Sequence, residues 1–221
     1  MDMDKEVLSG SRILIVDDQE PNVLLLERVL QHAGYKNYLA ITDSRQILDQ
    51  FRTFQPDLIL LDLMMPKLDG YAVMRQLNGW IPSGAYLPIL VITADASRIA
   101  KQKALGLGAK DFLAKPIDTA EATLRVHNLL VTRWLYRQME HRTELCAELA
   151  SASKRRLDAA LRELDRFAEK GQALAEDLRW LRIQLLHAAE AIERLASEAA
   201  GDFAPASSFP SSVPAGLEQA T

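Results

Sequence analysis

The stretch Leu58-Ile59-Leu60-Leu61-Asp62-Leu63-Met64-Met65-Pro66-Lys67-Leu68-Asp69-Gly70 decides the fold of this chain. It opens with four apolar residues, as a buried strand does, and its acid stands where the strand stops and the turn begins. Three other apolar runs also end in polar residues: Ile13 to Val16 before Asp17 and Asp18, Ile89 to Ile92 before Thr93, and Phe112 to Ala114 before Lys115.

Short apolar runs alternate with helical patterns from residue 12 to residue 118, which is typical of a parallel sheet flanked by helices. The pattern predicts a flavodoxin-like, doubly wound, five-stranded parallel sheet of order 2-1-3-4-5. The predicted strands are Arg12 to Val16, Asn37 to Ile41, Leu58 to Leu61, Ile89 to Ile92 and Asp111 to Leu113. The predicted helices run from about Pro21 to Ala33, Ser44 to Phe54, Tyr71 to Leu77 and Ser97 to Leu105, with a fifth from Asp118.

The polar residues at the strand ends predict a phosphate site. The carboxyl ends of parallel strands meet at one edge of the sheet, where ligands bind in such folds. Carboxylates there can hold a hard cation such as Mg²⁺, a hydroxyl can bond a phosphoryl oxygen, and an ammonium can neutralise a phosphoryl charge. The set is suited to placing phosphate on Asp62.

Residues 119–200 are predicted to form a helical or coiled-coil extension that continues from the fifth helix. Asp118 and Glu121 resemble a capping box, and apolar or small residues then recur at heptad spacing from 157 to 199, with a short step at Gly171. Spacing alone leaves open an intermolecular coiled coil, a helical hairpin or a partner-binding face. A less regular stripe comes earlier: Leu124, Val131, Leu135, Leu145 and Leu149.

Composition excludes several classes of function. The formal net charge is -4, and residues 119–200 carry equal numbers of basic and acidic side chains, so nucleic-acid binding is not expected. The single cysteine, Cys146, excludes an internal disulfide and fits a reducing compartment. No apolar run approaches the roughly 20 residues that span a bilayer. We therefore expect a cytoplasmic protein without membrane insertion.

Four motifs in order make residues 11–130 resemble the receiver (CheY-like) domain of two-component response regulators: the first strand with Asp17-Asp18, the segment from Leu60 to Gly70, Ile92-Thr93-Ala94, and Gly108 to Pro116. The remaining segments are an N-terminal segment, 1–10, and a tail, 201–221, rich in Ala, Ser and Pro and predicted to be disordered.

The resemblance implies that Asp62 accepts a phosphoryl group from a histidine kinase or phosphotransfer protein. It implies a Mg²⁺ site formed by the side chains of Asp18 and Asp62, the backbone carbonyl of Met64 and, through water, Asp17. Thr93 would bond a phosphoryl oxygen and Lys115 would pair with the phosphate. It also implies a cis peptide between Lys115 and Pro116.

Two positions refine this expectation. Phe112 stands where many relatives carry a switch tyrosine, so Thr93 and Phe112 are the expected switch residues, without a phenolic hydroxyl. Met64 places a bulky apolar side chain near the path of attacking water, which predicts slow self-dephosphorylation.

The residues of these motifs most resemble those of receivers attached to cyclic-di-GMP phosphodiesterases of the HD-GYP type. The chain has no His-Asp pair, no Gly-Tyr-Pro and no Gly-Gly-Asp-Glu-Phe run, so no effector enzyme is predicted in it. The leading hypothesis is a signalling protein that forms a homodimer through 119–200. The alternative is a regulatory subunit, or truncated regulatory half, of a cyclic-di-GMP phosphodiesterase system, with a cyclic-di-GMP enzyme or another protein as the effector partner.

Overall fold

Five short apolar strands form one parallel sheet in the computed structural model, which describes residues 3–82, 84–170, 181–192 and 194. The strand order is β2-β1-β3-β4-β5, so the predicted flavodoxin-like fold is confirmed, and each strand begins and ends within one residue of its predicted position. The strands are β1 (Arg12–Val16), β2 (Asn37–Ile41), β3 (Leu58–Leu61), β4 (Ile89–Thr93) and β5 (Asp111–Ala114).

Helices cover both faces of the sheet. The predicted helix over residues 44–54 consists of a 3₁₀ turn, Ser44–Gln46, followed by α3; the Asp43 carboxylate caps the turn by accepting a hydrogen bond from the backbone N–H of Arg45. The α-helices are α1 (Met3–Gly10), α2 (Glu20–His32), α3 (Ile47–Phe54), α4 (Gly70–Asn78), α5 (Arg98–Gly106) and α6 (Thr119–Lys170). Residues 181–192 are also helical.

The core has two layers because successive strand residues face opposite sides of the sheet. In β1, Ile13 and Ile15 pack with residues of α2 and the start of α6, whereas Leu14 and Val16 pack with residues of α3 and α4. The central strands β1, β3 and β4 are buried on both faces. This is why they are continuous apolar runs in the sequence.

The N-terminal segment, to which the sequence patterns assigned no element, contains α1. Its Val7 is buried in the core layer that contains Ile13 and Ile15. Its Glu6 carboxylate accepts a hydrogen bond from the Trp134 indole N–H at 3.0 Å. A helix of eight residues is too short to be stable alone. Tertiary contacts therefore hold α1, and periodicity within the segment does not reveal them.

The buried carboxylate of Asp57 anchors α6 at the amino-terminal edge of the sheet. Its Oδ2 accepts a hydrogen bond from the backbone N–H of Arg12 at 3.0 Å, and its Oδ1 accepts one from the Arg137 guanidinium at 2.9 Å. Nearby, the rings of Tyr86 and Tyr136 stack with their centroids 4.6 Å apart. These contacts fix the first part of α6 on the sheet.

The chain divides into two units, Met1–Gln138 and Met139–Thr221. Asp118 caps α6 by accepting hydrogen bonds from the backbone N–H groups of Ala120 and Glu121, as predicted. Most of the apolar stripe is exposed: Leu124, Leu135, Leu145 and Leu149. The short step at Gly171, part of the heptad seam and the tail 201–221 lie outside the described residues.

None of the helices in the described part of the chain has both the length and the apolar character needed to cross a membrane.

The buried phenol of Tyr35 is expected to make the protein less stable at high pH. Its ring is buried, and burial, together with the negative charge of Asp4, raises the pKa of its phenol from 10.0 to about 12. Because the folded-state pKa exceeds the unfolded-state value, the phenol's contribution is fully present below pH 10.0 and is lost as the pH rises towards about 12. We expect the free energy of unfolding to fall over this interval, and Tyr35→Phe to reduce the slope, in denaturant titrations at successive pH values. An equal slope in both proteins would contradict this assignment.

Candidate functional site

The backbone places Asp17, Asp62 and Lys115 at the carboxyl-terminal edge of the sheet. Ladder hydrogen bonds continue one residue beyond three of the strands: Asp17 N–H donates to Ile41 O at 3.3 Å, Asp62 N–H to Val16 O at 2.9 Å, and Lys115 N–H to Thr93 O at 2.9 Å. Residues distant in sequence are thereby held in register at one edge.

Three carboxylates converge at this edge. Asp17, Asp18 and Asp62 each offer an oxygen, and these oxygens all lie within 4.8 Å of one another. Asp17 and Asp62 are 1% and 2% exposed. Among the described residues, the buried Oδ1 of Asp18 has no hydrogen-bond partner. Clustered carboxylate oxygens with an unsatisfied buried acceptor are a donor set that fits a hard cation such as Mg²⁺.

Lys115 provides the positive charge of the cluster. Its ammonium lies 2.7 Å from Asp17 Oδ2 and 3.0 Å from Asp62 Oδ2. Burial disfavours the charged ammonium, but its hydrogen bonds to Asp17 and Asp62 outweigh burial and raise the pKa of Lys115 above its usual value. The lysine is therefore held as a cation against Asp62.

The other oxygen of Asp17 is held by two groups that the sequence reasoning missed. Asp17 Oδ1 accepts hydrogen bonds from the backbone N–H of Gln19 at 2.9 Å and from the side-chain amide of Asn22 at 3.0 Å. The first is an Asx-type turn, which an Asp at the end of a strand favours. These bonds orient the carboxylate, so that its second oxygen meets Lys115.

The other predicted site residues, Thr93, Phe112 and Met64, differ in burial and in their contacts. Thr93 is fully buried, and its hydroxyl oxygen accepts a hydrogen bond from Asp95 N–H at 3.4 Å. The Lys101 ammonium lies 5.1 Å from the centroid of the half-buried Phe112 ring. The Met64 N–H donates to Asp62 Oδ1 at 3.3 Å, while its side chain is 62% exposed. The peptide between Lys115 and Pro116 is cis, as the resemblance implied.

Gly70 supports the loop that carries Asp62. Just before it, Asp69 caps α4 by accepting a hydrogen bond from Ala72 N–H at 2.6 Å. The N–H of Gly70 donates a hydrogen bond to Leu63 O at 3.0 Å. A Cβ at Gly70 would lie 2.3 Å from the carbonyl oxygen of Asp62. Only glycine allows this close approach.

Comparison with known families supports the fold described above. The model of the response regulator receiver domain matches residues 13–127, just over half of the chain. The chain belongs to the response regulator receiver family. It therefore contains the receiver domain of a two-component system, the class of domain that interacts with histidine kinases or phosphotransfer proteins.

Curated relatives match the receiver domain and extend beyond it. The chain is 40% identical over 121 residues to the alkaline phosphatase synthesis transcriptional regulatory protein PhoP of Bacillus subtilis, covering 55% of this chain and 49% of PhoP. It is 42% identical over 120 residues to response regulator PleD of Caulobacter vibrioides, covering 54% of this chain and 26% of PleD. The matched receiver region thus spans about half of one relative and a quarter of the other.

Solved structures also resemble the receiver domain, and each covers a little over half of this chain. A response regulator from Chloroflexus aurantiacus is 35% identical, with a TM-score of 0.50 over 54% of this chain and 97% of its own. The signal receiver domain of a LuxO repressor protein from Vibrio parahaemolyticus is 26% identical, with a TM-score of 0.54 over 59% of this chain and 97% of its own. These comparisons support the receiver domain, but not the HD-GYP resemblance, and they do not favour the cyclic-di-GMP alternative.

Proposed function

We propose that this chain is a phosphoryl-accepting response regulator in which Asp62 takes the phosphoryl group from a histidine kinase or phosphotransfer protein. The observation that carries the proposal is the convergence of Asp17, Asp18 and Asp62 with the Lys115 ammonium at one edge of the sheet.

The proposed transfer joins an Asp62 carboxylate oxygen to phosphorus as the phosphorus–nitrogen bond of the donor phosphohistidine breaks. The donor imidazole leaves with the electron pair of that bond and takes up a proton, and Asp62 becomes an acyl phosphate. Charge collects on the transferring oxygens, so catalysis depends on positioning and electrostatic stabilisation. Lys115, already within hydrogen-bond distance of Asp62, would neutralise part of that charge, and the Thr93 hydroxyl would donate to a phosphoryl oxygen.

Asp17, Asp18, Asp62 and the Met64 carbonyl would hold Mg²⁺. When bound, the ion offsets negative charge on the carboxylates and on the phosphoryl group. In its absence, the three clustered carboxylates would repel one another, and among the described residues Lys115 supplies the compensating positive charge through its ion pairs with Asp17 and Asp62. We therefore propose that phosphorylation depends on Mg²⁺.

The proposed output is a change in the pairing of residues 119–200. In the first unit, α6 packs on the sheet through Val126 and Leu130, and the same helix continues to Lys170. Beyond residue 138 it exposes Leu145 and Leu149, which are suited to contact a second copy. On this proposal, residues 11–130 form the receiver and 119–200 the homodimerisation region, with Phe112 and Thr93 as the switch.

Light scattering tests the switch directly. Wild-type and Asp62→Ala proteins are compared with Mg²⁺, with and without beryllofluoride as a phosphoryl mimic. We expect a change of molar mass or hydrodynamic radius in the wild type only. A dimer that is the same under all conditions would make 119–200 a fixed scaffold and contradict the proposed output. The phosphoacceptor role of Asp62 is tested separately by phosphate incorporation.

Met64 predicts slow self-dephosphorylation. Its side chain follows Asp62 by two residues, and its bulk would hinder water from reaching the acyl phosphate. We expect Met64→Asn to shorten the half-life of the phosphorylated protein severalfold, because a smaller polar side chain admits and orients water. Loss of phosphate is followed after removal of the donor, with Met139→Asn, on an exposed part of α6, as control. A wild-type half-life of seconds would contradict the prediction.

A further inference from the structure

A cavity lies at the amino-terminal edge of the sheet, away from the carboxylate cluster. It has a volume of about 510 Å³ and is lined where β1, β3 and β4 begin, by residues that include Arg12, Asp57 and Leu87. Strands of four or five residues separate this edge from Asp62 by roughly 13 to 17 Å. The volume lies within the range of about 300 to 1,000 Å³ typical of sites for small organic ligands.

The cavity is strongly cationic although the whole chain is acidic. The one acid among the lining residues is Asp57. Four arginines line the cavity as well: Arg12, Arg52, Arg133 and Arg137. Asp57 is engaged by the Arg137 guanidinium at 2.9 Å and faces Arg133 at 3.7 Å. Within the described residues, the guanidinium groups of Arg12 and Arg52 form no ion pair. The lining therefore has more positive than negative charge, in a protein of net charge -4.

One wall of the cavity is aromatic and apolar. Trp80 is 50% exposed, unusual for the largest apolar side chain, and the Arg52 guanidinium lies 5.1 Å from the centroid of its ring. Phe51, Ile81 and Leu87 complete this wall. A half-exposed tryptophan beside a guanidinium forms a platform on which a planar ring can stack.

We infer that this cavity binds a nucleotide, with its base on the Trp80 and Arg52 platform and its phosphate among the arginines. Guanidinium groups match phosphate oxygens in charge and in hydrogen-bond geometry. The aromatic wall provides the complementary surface for a base. The site is separate from the phosphoacceptor cluster, so it would give the receiver a second, small-molecule input.

Calorimetric titration of the full chain tests the inference. Probes are adenosine and guanosine monophosphates and triphosphates, the nucleosides without phosphate, and inorganic phosphate. Mg²⁺ is omitted so that the carboxylate cluster does not bind metal-bound phosphate. We expect the nucleotides to bind more tightly than the nucleosides or inorganic phosphate. Arg52→Ala and Trp80→Ala should each weaken nucleotide binding about tenfold.

The matched control is Arg75→Ala, which removes an exposed arginine of α4 that does not line the cavity. Because Arg52 and Trp80 are exposed, their variants are expected to fold, which thermal unfolding checks. Nucleotide binding unaffected by both lining substitutions would overturn the inference. So would inorganic phosphate binding as tightly as a nucleotide, or no nucleotide binding up to about 1 mM, a weak affinity for a specific site.

Discussion

Asp62→Asn is expected to abolish phosphate incorporation from acetyl phosphate in the presence of Mg²⁺. The amide is a far weaker nucleophile than the carboxylate and carries no charge to bind a divalent cation. It keeps the size of the side chain, and its oxygen can still accept a hydrogen bond from Lys115. The expected defect is therefore chemical, with the fold retained. Intact-protein mass spectrometry and phosphate-affinity electrophoresis both measure incorporation.

Asp95→Asn is the matched control for this experiment. Asp95 lies two residues beyond Thr93 at the same edge of the sheet, is exposed, and accepts a hydrogen bond from Ser97 N–H at 3.0 Å. It does not belong to the three-carboxylate cluster. Incorporation should therefore persist in Asp95→Asn. Phosphate uptake by Asp62→Asn at the wild-type level would move the acceptor to another residue and contradict the proposed function.

The strands were predictable because burial on both faces requires continuous apolar residues. Leu58 to Leu61 has this character, and the polar residue after such a run can only stand at a strand end. Parallel strands joined by helical crossovers then bring these ends to one edge of the sheet. Composition and topology therefore suffice to predict that Asp62 and Lys115 meet, although they lie 53 residues apart in sequence.

Other features depend on contacts that local patterns do not encode. Asp57 resembles any turn acid in the sequence, yet it is 3% exposed and pairs with Arg137, 80 residues later. The helical character of α1 depends on packing against a distant part of the chain. Likewise, the cavity beside Trp80 is formed by residues from several elements, and heptad spacing in α6 does not reveal what covers its exposed leucines.

Gly70 is the clearest case of a backbone requirement at the candidate site. Built at this position, a Cβ would lie 2.3 Å from Asp62 O, 2.8 Å from Leu63 Cα and 3.1 Å from the carbonyl carbon of Asp62. All three are backbone atoms, so no side-chain rotation can relieve the overlap. Either the start of α4 or the loop after β3 must move.

Gly70→Ala is therefore expected to lower the free energy of unfolding by at least the roughly 1 to 3 kcal/mol of an overpacked core. It should also reduce Mg²⁺-dependent phosphorylation, because the displaced loop carries Asp62 and Met64. Gly106→Ala is the control: a Cβ there meets no atom within 4 Å, and alanine favours helix. Denaturant unfolding should show Gly106→Ala at least as stable as wild type. If Gly70→Ala had the same free energy of unfolding as Gly106→Ala, the loop would be able to adapt, and the close approach at Gly70 would not constrain the site.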